Sequence, residues 1–149
     1  MDKKSEISGF ILERSAKRMK QYFQECLSEA EAGITIDQWV VLQVLDKQDG
    51  ISQLEIAKAT FKDPPTITRI IDLLCEKGLT KRAKNIKDRR RFDILLTEEG
   101  RQLIARVLPV IRAARNQAWQ GLKDEEIDQL VYTLNTVFEN LNRVVKPLI

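Results

Sequence analysis

Between Asp63 and Thr97 the residue pattern changes period twice, and few folds accommodate that change. Residues 63–77 read DPPTITRIIDLLCEK. Asp63 suits an N-cap and Pro64 the first helical position. Pro65 is still tolerated, because first-turn N–H groups have no partner inside a helix. Ile67, Ile70, Ile71 and Leu74 then fall on one helical face, and Gly78 is a natural stop. Leu79–Ala83 and Phe92–Leu96 read as strands, with Ile94 and Leu96 sharing a face. The loop between them, NIKDRRR, carries no Asn-Gly or Asp-Gly turn signal, so the pairing rests on the flanking strands. A helix stopped by glycine, a strand, a basic loop and a second strand is the layout of a winged helix.

Charge is concentrated on that loop. Residues 77–91 hold eight Lys/Arg and one acid, Asp88, a net +7, while the whole chain sums to +3, which leaves −4 elsewhere. A basic element on an otherwise acidic chain is suited to a polyanion.

The flanking segments are helical. Over 6–31, Ile7, Ile11, Met19, Tyr22, Phe23, Cys26 and Leu27 recur at spacings of three and four, up to Ala32-Gly33. Thr35 and Gln38 fit a capping box for a second helix containing Trp39, Leu42 and Leu45. Ser52 and Glu55 fit another, opening the short helix QLEIAKATF. That helix and the proline-opened one form a helix-turn-helix. Thr97 caps a fifth helix that should run to Gln120, bent at the interior Pro109. In the last segment Ile127, Leu130, Leu134, Val137, Leu141, Val144 and Leu148 are spaced 3, 4, 3, 4, 3, 4, a heptad seam that needs a facing helix. The expected architecture is mainly α: four helices, a strand, a wing, a second strand and two more helices. The expected organisation is a single domain over 1–149. Residues 6–31 and 124–148 form a dimerisation platform, 35–97 the winged lobe and 97–121 the connecting helix. The interface would use Ile7, Ile11 and the seven seam residues. The alternative is an intramolecular bundle of the first, fifth and sixth helices.

Several functions are set aside by what is missing. The chain has no histidine, so no Ser–His or Cys–His couple and no histidine-ligated zinc can form. There is no phosphate-binding glycine motif and no recognisable carboxylate pair. Neither an enzyme, a metal site nor a cofactor is expected. No apolar run has membrane length and the N-terminus has no signal-peptide core, so the cytoplasm is the expected compartment. Cys26 and Cys75 sit in apolar helical patterns and read as small hydrophobes, with redox sensing as the alternative.

The order of elements and the local words resemble the MarR family. The words are ITIDQWVVLQVL, ISQLEIAKATFKDPPTITRIIDLLCEKGLTKR, DRRRFDILLTEEG and LKDEEIDQLVYTLNTV. In the third, Asp88 and Arg90 precede a strand ending in Leu96-Thr97. In the fourth, Lys123 stands where a Ser or Thr cap is usual. The resemblance implies a homodimeric transcriptional regulator, usually a repressor, on a pseudo-palindromic operator. It also implies release of the DNA by a small molecule or oxidant.

On that basis the fourth helix enters the major groove with Pro64, Pro65, Thr66, Thr68 and Arg69. Arg69 is the member of this set able to grip guanine with two hydrogen bonds. By the resemblance Arg90 enters the minor groove and Asp88 orients it. Lys84, Lys87, Arg89 and Arg91 would neutralise phosphates, and Ser52 and Gln53 would touch the DNA backbone. About three phosphates per monomer give a salt slope of roughly −5 for the dimer. The resemblance places a small aromatic or anionic effector among Tyr22, Trp39, Gln43, Arg112 and Arg115. Trp39 is alternatively a core aromatic. Rival functions are a nonspecific architectural DNA binder and a winged-helix protein-interaction module. Operator sequence, target genes, sign of regulation and effector identity lie beyond the sequence.

Overall fold

The computed structural model describes residues 2–144. The chain falls into two compact units, Met1–Ala114 and Arg115–Ile149.

The first unit begins with a continuous helical stretch. α1 (Lys3–Glu6), capped by the Asp2 side chain, passes through a π-helical turn (Ile7–Ile11) into α2 (Leu12–Glu29). It starts three residues before the expected 6 because Asp2 accepts from the Ser5 N–H at 2.8 Å. α3 (Ile36–Lys47) and α4 (Gln53–Thr60) both open on the expected capping boxes, Thr35 with Gln38 and Ser52 with Glu55. α5 (Pro64–Glu76) is capped by Asp63 and stops before Gly78, whose φ is +75°. α6 (Glu98–Ala118) starts where the Gly100 N–H donates to the Thr97 hydroxyl at 3.0 Å. It ends two residues short of the expected Gln120 and carries Pro109 in its interior.

Three strands form the sheet, not two. β2 (Thr80–Lys84) and β3 (Phe92–Leu96) pair antiparallel, with Arg82 opposite Ile94. A two-residue strand, β1 (Ile51–Ser52), lies on the other side of β3 with Ile51 opposite Ile94, giving the order β1-β3-β2. Ile94 and Leu96 are buried, as their shared face predicts.

The core of this unit gathers one face from each element. Leu27 of α2, Trp39, Leu42 and Leu45 of α3, and Ile56 of α4 are buried. So are Ile67, Ile71 and Leu74 of α5, with Leu103, Ile104, Val107 and Ile111 of α6. Burial of each such side chain removes apolar area worth roughly 1.5–3 kcal/mol from water. Lys77 joins two elements by a polar route. Its ammonium donates to the Gly33 carbonyl at 2.7 Å and to the buried Gln38 amide oxygen at 3.0 Å.

The second unit holds the end of α6, a turn at Gly121 (φ +84°) and α7 (Asp124–Asn142). The Lys123 side chain offers no acceptor, so only half of a capping box forms. The Glu126 carboxylate accepts from the Lys123 backbone N–H at 3.0 Å. Leu130, Leu134, Val137 and Leu141 are exposed along α7, as is Val144 just beyond it. Leu148, the last seam residue, lies outside the described residues. No described helix is long and apolar enough to cross a membrane.

Candidate DNA interface

Position in the fold explains the state of each side chain at the start of α5. Asp63 receives both the N–H (3.2 Å) and the hydroxyl (2.7 Å) of Thr66. These bonds, the hydroxyl foremost, hold the Asp63 carboxyl below the ordinary carboxylate range. The Thr66 hydroxyl is therefore already committed to the cap. Thr68 donates to the Pro64 carbonyl at 3.1 Å and accepts from the Gln53 amide at 3.0 Å. Pro64, Pro65, Thr68 and Arg69 form the exposed side of this helix, opposite buried Ile67, Ile70 and Ile71. Arg69 brings the long, multiply donating side chain to that surface.

Gln53 ties three elements together. Besides Thr68 of α5, it accepts from the Arg82 Nε of β2 at 3.1 Å. Arg82 also pairs with Asp72 of α5. Neither Arg82 nor Asp72 was marked from sequence, because the partners lie ten residues apart on different elements. Ser52 is occupied in capping α4, its hydroxyl accepting from the Glu55 N–H at 3.2 Å.

The wing is held from within by Asn85. Its amide oxygen accepts from the N–H groups of Lys87 and Asp88, both at 2.9 Å. Its amide nitrogen donates to Asp93 at 2.9 Å. Its backbone N–H reaches the Arg91 carbonyl at 3.0 Å, and the Arg91 N–H reaches the Asp88 carbonyl at 3.1 Å. This side-chain-mediated turn replaces the absent glycine turn. Asp88 in turn accepts from the Arg90 backbone N–H at 3.1 Å and from its Nε at 3.3 Å. The Arg90 side chain is 93% exposed and yet oriented by that carboxylate.

The expected phosphate-neutralising set divides. Lys84, Lys87 and Arg89 are exposed. Arg91 is turned to the protein, with Asp93 at 3.2 Å and Glu55 at 3.4 Å. Its charge is compensated, and it fastens the wing to α4.

The expected effector residues are spread over several elements. Trp39 is 1% exposed, a core aromatic, and its indole Nε1 is buried with no hydrogen-bond partner. Tyr22 is half-buried on α2 beside Arg18, whose guanidinium carbon is 5.8 Å from the ring centroid. A hydrogen bond with the Cys26 side chain, more than burial, raises the Tyr22 pKa. Gln43 is half-buried on α3 and Arg112 is exposed on α6. Arg115 belongs to the second unit. Of the interface residues, Ile7 is exposed, and Ile11 and Ile127 are half-buried.

Comparison with known proteins agrees with this geometry. Residues 34–92 match the MarR family model. A mutant MarR from E. coli, solved in complex with operator DNA, is similar at 26% identity and TM-score 0.79, over 92% of this chain and 99% of that one. CouR from Rhodococcus jostii, solved with p-coumaroyl-CoA, is 29% identical with TM-score 0.79, covering 87% of this chain and 90% of that one. BpsR from Bordetella bronchiseptica, whose DNA binding is regulated by 6-hydroxynicotinic acid, is 28% identical with TM-score 0.78, over 87% and 97%. The winged-helix lobe thus carries the match to the MarR family model, and the structural neighbours of the chain are transcriptional regulators of that family.

Proposed function

We propose that this protein is a sequence-specific double-stranded DNA-binding transcriptional regulator, a repressor of the MarR type, acting as a homodimer on a pseudo-palindromic operator. The observation that carries it is the wing. A built turn presents an arginine that is nearly fully solvated but aimed by its own carboxylate, Asp88. An orienting contact on so exposed a side chain contributes little to stability; it suits a side chain that must enter a groove. The exposed side of α5 supplies the second contact, with Arg69 reading base edges in the major groove. The exposed α7 seam is the proposed dimer surface, together with Ile7 and Ile11. Two-fold symmetry would then set the half-sites about one helical turn apart.

The test is fluorescence anisotropy with duplexes enriched by the protein from a random pool, against a scrambled duplex, across a salt series. A strong preference for enriched DNA that Arg90→Ala weakens supports the proposal. Equal affinity for both duplexes would make the protein an architectural binder, and no binding at low salt would point to a protein partner.

One observation favours effector control as well. The unbonded Trp39 indole N–H is a buried donor of the kind that costs roughly 1–3 kcal/mol when unsatisfied. By likeness to BpsR and CouR, the effector would be an anionic aromatic compound, with Tyr22, Gln43 and Arg112 as further contacts. Release of bound duplex by 6-hydroxynicotinate or p-coumaroyl-CoA, tested in the same assay, checks it.

A further inference from the structure

Ile86 is the most exposed large hydrophobic side chain among the described residues, at 96%. A lone exposed apolar residue is ordinary on a protein surface. What separates Ile86 is its mount. It follows Asn85, whose side chain fixes Lys87 and Asp88 by two 2.9 Å bonds and reaches back to Asp93. The turn is closed by the Asn85–Arg91 and Arg91–Asp88 backbone bonds at 3.0 and 3.1 Å. Arg91 anchors it to α4 through Glu55. Exposed Lys84, Lys87, Arg89 and Arg90 lie on the same short loop. The turn that carries Ile86 is thus built before any partner arrives, and the surrounding cations select a polyanion.

We infer that Ile86 is an apolar contact residue for the minor groove, packing against the deoxyribose walls beside the inserted Arg90. The inference rests on the operator-binding proposal above. Minor-groove proteins combine basic residues with apolar side chains, which many of them wedge between base steps. The cations draw the loop to the groove by a salt-dependent term. The isoleucine adds a contact that expels water from sugar carbons and has no counterion of its own to release.

That difference sets the experiment. Wild type, Ile86→Ala, Ile86→Leu and Arg90→Ala are titrated with a duplex enriched by the wild-type protein from a random pool, at several salt concentrations. Ile86→Ala is expected to bind about tenfold more weakly, as partial loss of two buried side chains implies. Its plot of log affinity against log salt should stay parallel to that of wild type, and Ile86→Leu should lie close to wild type. Arg90→Ala should bind more weakly with a slope shallower by about 2 for the dimer. Ile86→Ala binding like wild type while Arg90→Ala weakens binding would overturn the inference and leave the operator reading standing. A slope change in Ile86→Ala would also overturn it, since the loss would then be electrostatic. No enriched duplex, or no effect of Arg90→Ala, would remove the reading beneath it.

Discussion

Replacing Gly100 by alanine tests whether α6 and the wing strand are packed as closely as their backbones indicate. Gly100 is buried in the first turn of α6. A Cβ there would lie 2.2 Å from the Leu79 carbonyl oxygen, 3.2 Å from its carbon and 3.3 Å from the Leu96 Cδ2. Two effects oppose. Alanine in a helix gains about 1 kcal/mol over glycine. Against that, the obstructing atom is backbone, and it cannot rotate away. The Leu79 carbonyl is also engaged, accepting from the Thr97 N–H at 3.1 Å. Relief therefore requires α6 to move off the sheet or the Thr97 bond to break. Overpacking of this kind costs about 1–3 kcal/mol, and a buried unsatisfied carbonyl a similar amount. The clash wins, and the net loss is about 2 kcal/mol or more. For a chain of this length that lowers the thermal midpoint by roughly 4–8 °C. Thermal and urea denaturation followed by circular dichroism would measure it. A Gly100→Ala protein as stable as wild type, or more stable, would refute the close approach. Because Leu79 leads into β2, operator affinity should fall as well.

Three further outcomes are expected. Asp88→Ala should leave the melting temperature unchanged but free Arg90, costing about 0.5–1.5 kcal/mol per subunit of ordering on binding. Removing an acid should meanwhile strengthen binding to unrelated DNA, so the ratio of operator to scrambled affinity is the quantity to measure. Asp37 sits 2.9 Å from Lys62 and 3.2 Å from Lys20. Burial pushes its carboxyl up, but the hydrogen bonds and charges of the two lysines outweigh that and hold it below 3.8. Its stabilisation, about 1 kcal/mol or less for so solvated a group, is therefore complete above the ordinary carboxylate value and lost as pH falls through the depressed one. Urea titrations of wild type and Asp37→Asn should converge below about pH 4 and separate above it. Leu134→Glu on α7 should lower the mass measured by light scattering to that of one chain and weaken operator binding; an unchanged mass would count against α7 as the dimer surface.

What could be read from sequence follows the range of each interaction. Thr35 with Gln38, Ser52 with Glu55, and Asp63 before two prolines each act within one helical turn, and all three start helices as expected. The strand β1 was missed because two residues carry no alternation; Ile51 becomes a strand residue only by facing Ile94. Asn85 was passed over because it holds the wing with its side chain rather than by a glycine turn, and one of its partners, Asp93, is eight residues away. Arg91 counted as one more loop cation until Glu55, from another element, came within 3.4 Å of it. The pairing of Asp88 with Arg90 was implied by the family resemblance, and with the two residues two apart the contact forms locally.

The Gln53 bridge bears on how such a protein changes its target over evolutionary time. Thr68 lies on the proposed DNA-reading face, yet its hydroxyl answers to Gln53, and Gln53 answers to Arg82. A substitution at Thr68 that favours a new base pair also releases Gln53 and loosens one hold on Arg82. Effects at 53, 68 and 82 should therefore be non-additive. Arg69, outside this chain of bonds, can vary alone. Under the proposed operator reading, drift toward a new target is cheapest through position 69, while position 68 is inherited as part of a linked trio.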